Sequence, residues 1–306
     1  VDAITCKNVC KVFKVKKHKV KALNSMNLNI EKGEIYGFLG PNGAGKSTTL
    51  KILMDLIRAD SGSVKIMGRN SSDYKARKRV GFLPENPSFM DNLTGREIVK
   101  FSGKVHGMPP NQLDKKIIEI LDLLDLSEAA ERPVRKYSKG MVQRVGFAAA
   151  IVHDPDLLIL DEPMSGLDPM GRVLFKSILK DINKKGTTVL FSSHIIPDIE
   201  DICTKIGIVK NGRLLREITS TEMKYTSTHK FKIIFKHDGN VCENILDYKV
   251  SGIDENLGFV TVGKEKAVDV IDYLRRISFD LVDIQPEKKD LETLFVEISG
   301  QSNDNE

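Results

Sequence analysis

Gly40-Pro41-Asn42-Gly43-Ala44-Gly45-Lys46-Ser47-Thr48 is the stretch on which the fold turns. It fits the spacing G-x-x-x-x-G-K-[ST]. The glycines let the backbone curl, so that successive N–H groups around Asn42, Gly43 and Gly45 face one anion. Glu34 to Leu39 reads as a strand running into this turn. Ser47 to Leu56 reads as a helix leaving it, whose N-terminal dipole adds to the attraction. Lys46 is then placed to reach the β- and γ-phosphates of a nucleotide, the Ser47 hydroxyl to meet Mg2+, and Thr48 to lie beside the phosphates at the helix start. Strand, phosphate loop and helix in that order predict an α/β nucleotide-binding fold.

Working outward, Leu157-Leu158-Ile159-Leu160-Asp161-Glu162 is a buried-strand run that ends in two acids, with Asp161 lying 115 positions after Lys46. Its apolar residues suit the interior of a parallel sheet. Asp161 would emerge where the phosphate loop lies and hold Mg2+ through water. Glu162 could polarise the water that attacks the terminal phosphate. Gly171 to Lys185 carries Leu174, Ile178 and Ile182 at helical spacing, and Thr187 to Phe191 is a further apolar run. Strand, helix, strand is the pattern of a βαβ unit. Asp114 to Leu126 puts Ile117, Leu121 and Leu124 on one face, which predicts an amphipathic helix.

Beyond a Ser/Thr-rich boundary at Thr219–Thr228 the pattern changes. Phe231, Ile233 and Phe235 alternate in a strand, Gly258–Gly263 is a second β-rich run, and Ala267–Ile277 is helical. Leu291, Leu294, Phe295 and Ile298 predict a last short helix capped by Asp290, and residues 301–306 a frayed tail. The division expected is therefore 1–220 and 221–300, the second a small α+β module. Charge follows the same division. Residues 1–220 carry +11 and residues 221–306 carry −6, against +5 overall.

Composition excludes several classes. With 41% hydrophobic and 29% charged residues the chain is neither disordered nor collagen-like. The longest stretch free of Asp, Glu, Lys and Arg, Gly186 to Pro197, is too short for a spanning helix, which needs about 18 apolar residues. The first residues lack a secretory pattern, and the cysteines at 6, 10, 203 and 242 have no C-x-x-C spacing. A cytoplasmic protein with reduced thiols is expected.

Three further segments follow in order: Tyr137-Ser138-Lys139-Gly140-Met141 with Gln143-Arg144, Ser165-Gly166-Leu167-Asp168-Pro169, and Ser192-Ser193-His194. With the phosphate loop and the acidic strand they make five motifs, and over about residues 3–220 the chain resembles the ATP-binding cassette (ABC) transporter ATPases. The resemblance implies an α/β P-loop fold of ABC type, a RecA-like core plus a helical subdomain, followed here by the small C-terminal α+β domain. It implies ATP and Mg2+ as ligands. Ser138 and the Gly140 amide would face the γ-phosphate held by a second subunit, His194 would hydrogen-bond the γ-phosphate, and Asp168 would contact the opposite phosphate loop. Phe13, with Val20 beside it, stands where the family stacks adenine. Asn183-Lys184-Lys185 is followed by Gly186, so no guanine-specific N-K-x-D motif is evident there.

In three places the chain departs from the family pattern. Gly81-Phe82-Leu83-Pro84-Glu85 supplies Glu85 where a glutamine is usual, and Glu85 is expected to coordinate Mg2+ or water. Lys139 and Met141 replace a glycine and a glutamine, while the phosphate-facing Ser138 and Gly140 remain. Glu85, Met141 and Asp290-Leu291-Glu292-Thr293-Leu294-Phe295 resemble the branch serving bacterial exporters of drugs, sodium or polysaccharide. The implied function is an ATPase subunit, peripheral at the inner face of the cell membrane, that pairs with a second copy or a paralogue and drives a separate multispanning permease. Its rival is a soluble cassette ATPase acting on DNA or ribosomes. Against a nucleic-acid partner stand the 115-position interval without sustained heptads, the single cassette, and a lysine cluster at 11–19 better read as a solvated surface.

Overall fold

The computed structural model describes residues 2–15, 18–225, 230–237, 243–254 and 256–286. The expected helix on Leu291 to Ile298 and the tail at 301–306 lie outside them. Two compact units are present, Val1–Ser220 and Thr221–Glu306.

The first unit opens with a hairpin of two long strands, β1 (Asp2–Val15) and β2 (His18–Glu31), followed by β3 (Ile35–Leu39) and α1 (Lys46–Leu53). Then come β4 (Ser61–Ile66), β5 (Arg69–Asn70), α2 (Tyr74–Arg77) and β6 (Val80–Leu83). A helical stretch holds α3 (Gly95–Val105), α4 (Pro110–Leu123) and α5 (Lys139–Ile151). β7 (Leu157–Leu160), α6 (Pro169–Lys184), β8 (Thr188–Ser193), α7 (Ile196–Glu200), β9 (Lys205–Lys210) and β10 (Arg213–Thr219) complete it.

These strands form two sheets. β2-β1-β4-β5 is antiparallel, and β10-β9-β3-β8-β7-β6 is parallel except for β10. The fully buried strands β3, β7 and β8 are the continuous apolar runs of the sequence, which only the middle of a covered parallel sheet can accommodate. One core joins both sheets to α1. Leu50 and Leu53 of α1 pack with Ile4, Leu23 and Ile30 of the hairpin and with Tyr36, Phe38 and Ile159 of the parallel sheet. Each such side chain contributes up to about 1.5–3 kcal/mol. The phosphate loop is thus anchored through the helix that follows it.

Helix ends differ from the sequence reading where local backbone forces them. α1 stops at Leu53 because Asp55 adopts a left-handed conformation, φ 56°. α4 begins four residues earlier than expected, with Pro110 at its first position, where a missing N–H costs nothing. α3 is held by a reciprocal box in which Thr94 and Glu97 cap one another's backbone N–H.

The second unit has the helix α8 (Ser220–Tyr225) at the boundary, then β11 (Lys230–Lys236), β12 (Asn244–Ile245), β13 (Tyr248–Lys249), β14 (Ser251–Asp254), β15 (Leu257–Gly263), α9 (Ala267–Arg276) and β16 (Asp280–Pro286). Its main sheet, β14-β15-β11-β16, is antiparallel and buries Ile233, Phe235, Val260 and Val262 against Val270 and Leu274 of α9. Among the described residues no helix is long and apolar enough to cross a membrane.

Where α3 meets the segment after α5, His106 and His153 stack with ring centroids 3.6 Å apart. Burial, reinforced by the neighbouring His106, pushes the His153 pKa down to about 4 from 6.5. The folded protein therefore holds a neutral ring that the unfolded chain protonates first. Stability from this site is complete above pH 6.5 and declines as pH falls through 6.5 towards 4. After allowance for solvent screening the loss is about 1–2 kcal/mol. Urea unfolding at several pH values is expected to show this slope in the wild type and a flatter one in His153→Gln; equal slopes would contradict the assignment.

Candidate nucleotide-binding site

Strand order and register assemble the site. β8 lies between β3 and β7, with Leu39 opposite Ser193 and Leu160 opposite Phe191. The residues just past these pairs are the phosphate loop, Ser192-Ser193-His194, and Asp161-Glu162. All leave the carboxyl ends of adjacent parallel strands, the edge at which open α/β sheets bind ligands.

The loop conformation depends on glycine at Gly45, whose φ is 106°. A Cβ there would lie 2.7 Å from the Ala22 carbonyl oxygen and 2.9 Å from Leu23 Cδ2. The second strand of the hairpin thus packs directly against the loop, and Ala44 O accepts a hydrogen bond from Gly212 N at 2.9 Å. Asn42 and Gly43 are exposed at the loop's crest, and Thr48 is half-buried in the first turn of α1.

Lys46 is buried, and its Nζ donates to Gly40 O at 2.6 Å and Pro41 O at 3.3 Å. Glu162 Oε1 is 3.6 Å from the same ammonium, an ion contact too long for a hydrogen bond. Ser47 Oγ donates to Asp161 Oδ1 at 3.0 Å, and Ser192 Oγ donates to the same oxygen at 2.7 Å. Ser192 Oγ also accepts from Glu162 N at 2.9 Å. Glu162 has φ 47°, a left-handed conformation that costs a non-glycine residue about 1 kcal/mol. Its Oε2 meets His194 Nδ1 at 2.9 Å, while the histidine ring remains about half exposed. Lys46, Ser47, Asp161, Glu162 and His194 are therefore one constellation.

The donor set around Asp161 is a carboxylate and two hydroxyls, all hard oxygens. That suits a small divalent cation which keeps several waters and shares its shell with phosphate. A self-sufficient cage is not present: no group of three or more His, Cys, Asp or Glu side chains arranged for a metal occurs among the described residues. Glu85, expected with Ser47 and Asp161, has no hydrogen bond or ion pair to either of them among the described residues. It is exposed beyond β6, the outermost strand of the sheet, one strand further out than β7.

Ser138, Gly140 and Asp168 are also not brought to the phosphate loop of their own chain. They line a separate open hollow of about 870 Å3 together with Lys139, Met141 and Arg144. Ser138 caps α5, accepting from Met141 N at 3.2 Å, and Asp168 caps α6, accepting from Gly171 N at 2.9 Å. Arg144 draws the two together, 3.8 Å from Asp168 and 3.1 Å from Asp125. Phe13 and Val20 are direct partners across the hairpin. Phe13 is half-buried with the Lys11 ammonium 5.6 Å from its ring centroid, and Val20 is half exposed.

Two further residues hold the site together. Ser192 ends a continuous apolar strand, and a serine buried there must find partners, which are Asp161 Oδ1 and Glu162 N. Buried Gln143 of α5 donates to Pro163 O at 3.1 Å, tying α5 to the residue after Glu162.

Comparison with known proteins points one way. Residues 23–165 match the family model described as ABC transporter. The chain is 43% identical over 199 residues to an uncharacterised ABC transporter ATP-binding protein of Synechocystis, a match covering 64% of this chain and 56% of that protein. It is 41% identical over 211 residues to the bacitracin transport ATP-binding protein BcrA of Bacillus licheniformis, covering 67% of each. The chain thus spans little more than half the length of the first relative and two thirds of the second. Among solved structures, it matches the dimeric post-hydrolysis state of the ATP-binding cassette MJ0796 bound to ADP and Pi. There the TM-score is 0.67 at 28% identity, with 71% of this chain and 98% of that one covered.

Proposed function

The chain belongs to the ABC transporter ATP-binding family, and on that premise we propose that it binds and hydrolyses ATP as one of two cassettes driving a separate membrane permease. The observation that carries this reading is the partition of the site. Lys46, Ser47, Asp161, Glu162 and His194 converge in one chain, whereas Ser138 and Gly140 line a hollow of their own. A site divided in this way is completed by a second subunit, its Ser138 and helix N-terminus closing on the phosphate that this chain's loop holds. The dimer of MJ0796 and the bacitracin transport named for BcrA support the pairing and a role in transport.

Within that reading, the loop amides and Lys46 bind and orient the triphosphate. Ser47 and Asp161 would hold Mg2+, which when bound neutralises charge on the phosphate oxygens. Glu162 accepts the proton of the attacking water, and His194 steadies the Glu162 carboxylate through the 2.9 Å contact. Phe13 and Val20 offer the face on which adenine stacks. Water attack follows closure of the two copies, and opening follows product loss. The acidic Glu85, exposed at the sheet's outer edge, reaches the nucleotide through water.

The test is purified chain with MgATP. ATP-dependent dimerisation and hydrolysis that rises more than linearly with protein concentration are expected. Ser138→Arg, which places bulk and charge in the hollow, should leave ATP binding by the single chain within about threefold but lower hydrolysis at least tenfold. Hydrolysis proportional to concentration, with no dimer and no effect of Ser138→Arg, would contradict the two-copy site.

A further inference from the structure

Immediately past His194 the chain enters α7, only five residues long and without a side-chain cap at Ile195. A helix this short does not hold its own direction, so tertiary contacts must fix it. Those contacts are apolar at Ile199, which is fully buried against Gly37 of β3, and ionic at Asp198. Asp198 of α7 is 3% exposed. Arg172 Nη1 lies 3.2 Å from its Oδ2 and Lys176 Nζ 3.2 Å from its Oδ1. Lys176 also donates to Pro197 O at 3.2 Å and Asp201 Oδ2 at 2.7 Å. Burial works against the charge on Lys176, but the hydrogen bonds to Asp201 and Asp198 outweigh it and raise its pKa.

Arg172 and Lys176 sit one turn apart on α6, and Arg172 N donates to Asp168 O at 3.0 Å. Arg172 and Asp198 also line a cavity of about 130 Å3 with Glu162 and His194. The hydrolytic chemistry proposed above uses none of the three charged groups. A buried ion cluster adds little to stability on balance, and its best-attested service is to specify one arrangement over its neighbours. What this cluster specifies is the path of the chain leaving His194. Among the described residues, the only hydrogen-bond partner of the His194 ring is Glu162.

We propose that Asp198, gripped by Arg172 and Lys176, is a positioning residue that holds His194 against Glu162. The inference rests on the reading of these two as the hydrolytic pair. Because Arg172 lies in the first turn after Asp168, a second copy bearing on the Asp168 segment would reach His194 through the same clamp.

In the full chain, Asp198→Asn is expected to lower kcat for MgATP by about 10- to 100-fold, the effect of a misplacement of around 1 Å, while KM stays within about threefold. The His194 ring 15N resonances should move in the same variant without nucleotide. Arg172→Met should reproduce both effects, and Arg172→Lys, which keeps the cation, should restore most of the rate. Wild-type kcat and wild-type His194 resonances in Asp198→Asn and Arg172→Met would overturn the proposal, as would a lowered Tm with both readouts unmoved. Should Asp198→Asn not fold, Arg172→Met decides alone, since its side chain is 31% exposed. If the wild type does not hydrolyse ATP, the hydrolytic reading falls, while the ring resonances still decide the positioning role.

Discussion

Glu162→Gln should reduce ATP turnover by about 10^2- to 10^4-fold while ATP still binds, as expected when general-base assistance alone is removed. The proposed roles separate the two properties. On the proposed reading nucleotide binding draws on the loop amides, Lys46, Ser47 and Asp161, and the substitution leaves Ser47 and Ser192 donating to Asp161. The change removes only a carboxylate that lies 3.6 Å from Lys46 and 2.9 Å from His194. An amide oxygen can still accept a hydrogen bond from His194, so geometry survives and proton-accepting power does not. Binding without turnover should therefore accumulate an ATP-held dimer, visible by sedimentation. Turnover within threefold of wild type would remove Glu162 from its role, and loss of binding would show that the carboxylate supports the loop itself.

Much of this site was legible in the sequence because its parts are local. A phosphate loop is one contiguous turn, and strands β3, β7 and β8 announce themselves as unbroken apolar runs ending in polar residues. What was not legible depends on which strand lies beside which. The contact of Lys46 with Glu162, and the double use of Ser192, exist only because β8 is inserted between β3 and β7. The β1–β2 hairpin escaped for a different reason. Its alternation is broken by register shifts between Asp2 and Ile4, Cys6 and Val9, and Val9 and Lys11, and lysines crowd its tip, so period-two patterning fades. The Thr94-x-x-Glu97 box, by contrast, is a local signal of a helix start. Glu85 lies two residues past Leu83, whose carbonyl accepts from Asp161 N at 2.8 Å, a neighbourhood that only the pairing of β6 with β7 creates.

Lys46→Met should weaken ATP binding by at least about 100-fold, because the phosphates lose a buried cation whose attraction is only weakly screened. The same substitution acts on the free protein. In the wild type, Lys46 and Glu162 face one another with side chains 5% and 10% exposed, and Glu162 Oε1 has no hydrogen-bond partner. Methionine fills the volume but leaves that carboxylate buried beside apolar atoms, a loss of about 2–4 kcal/mol. For a cooperative unit of about 200 residues this lowers Tm by roughly 4–16 °C. The sign of the second substitution is the sharper test. Adding Glu162→Gln to Lys46→Met removes the uncompensated charge, so the double variant should be more stable than Lys46→Met alone by at least about 1 kcal/mol. If the lysine served only the nucleotide, Lys46→Met without ATP would melt with the wild type and the cycle would show no coupling. A recovered Tm together with absent ATP binding would establish that one side chain both receives the phosphate and neutralises the catalytic base while it waits.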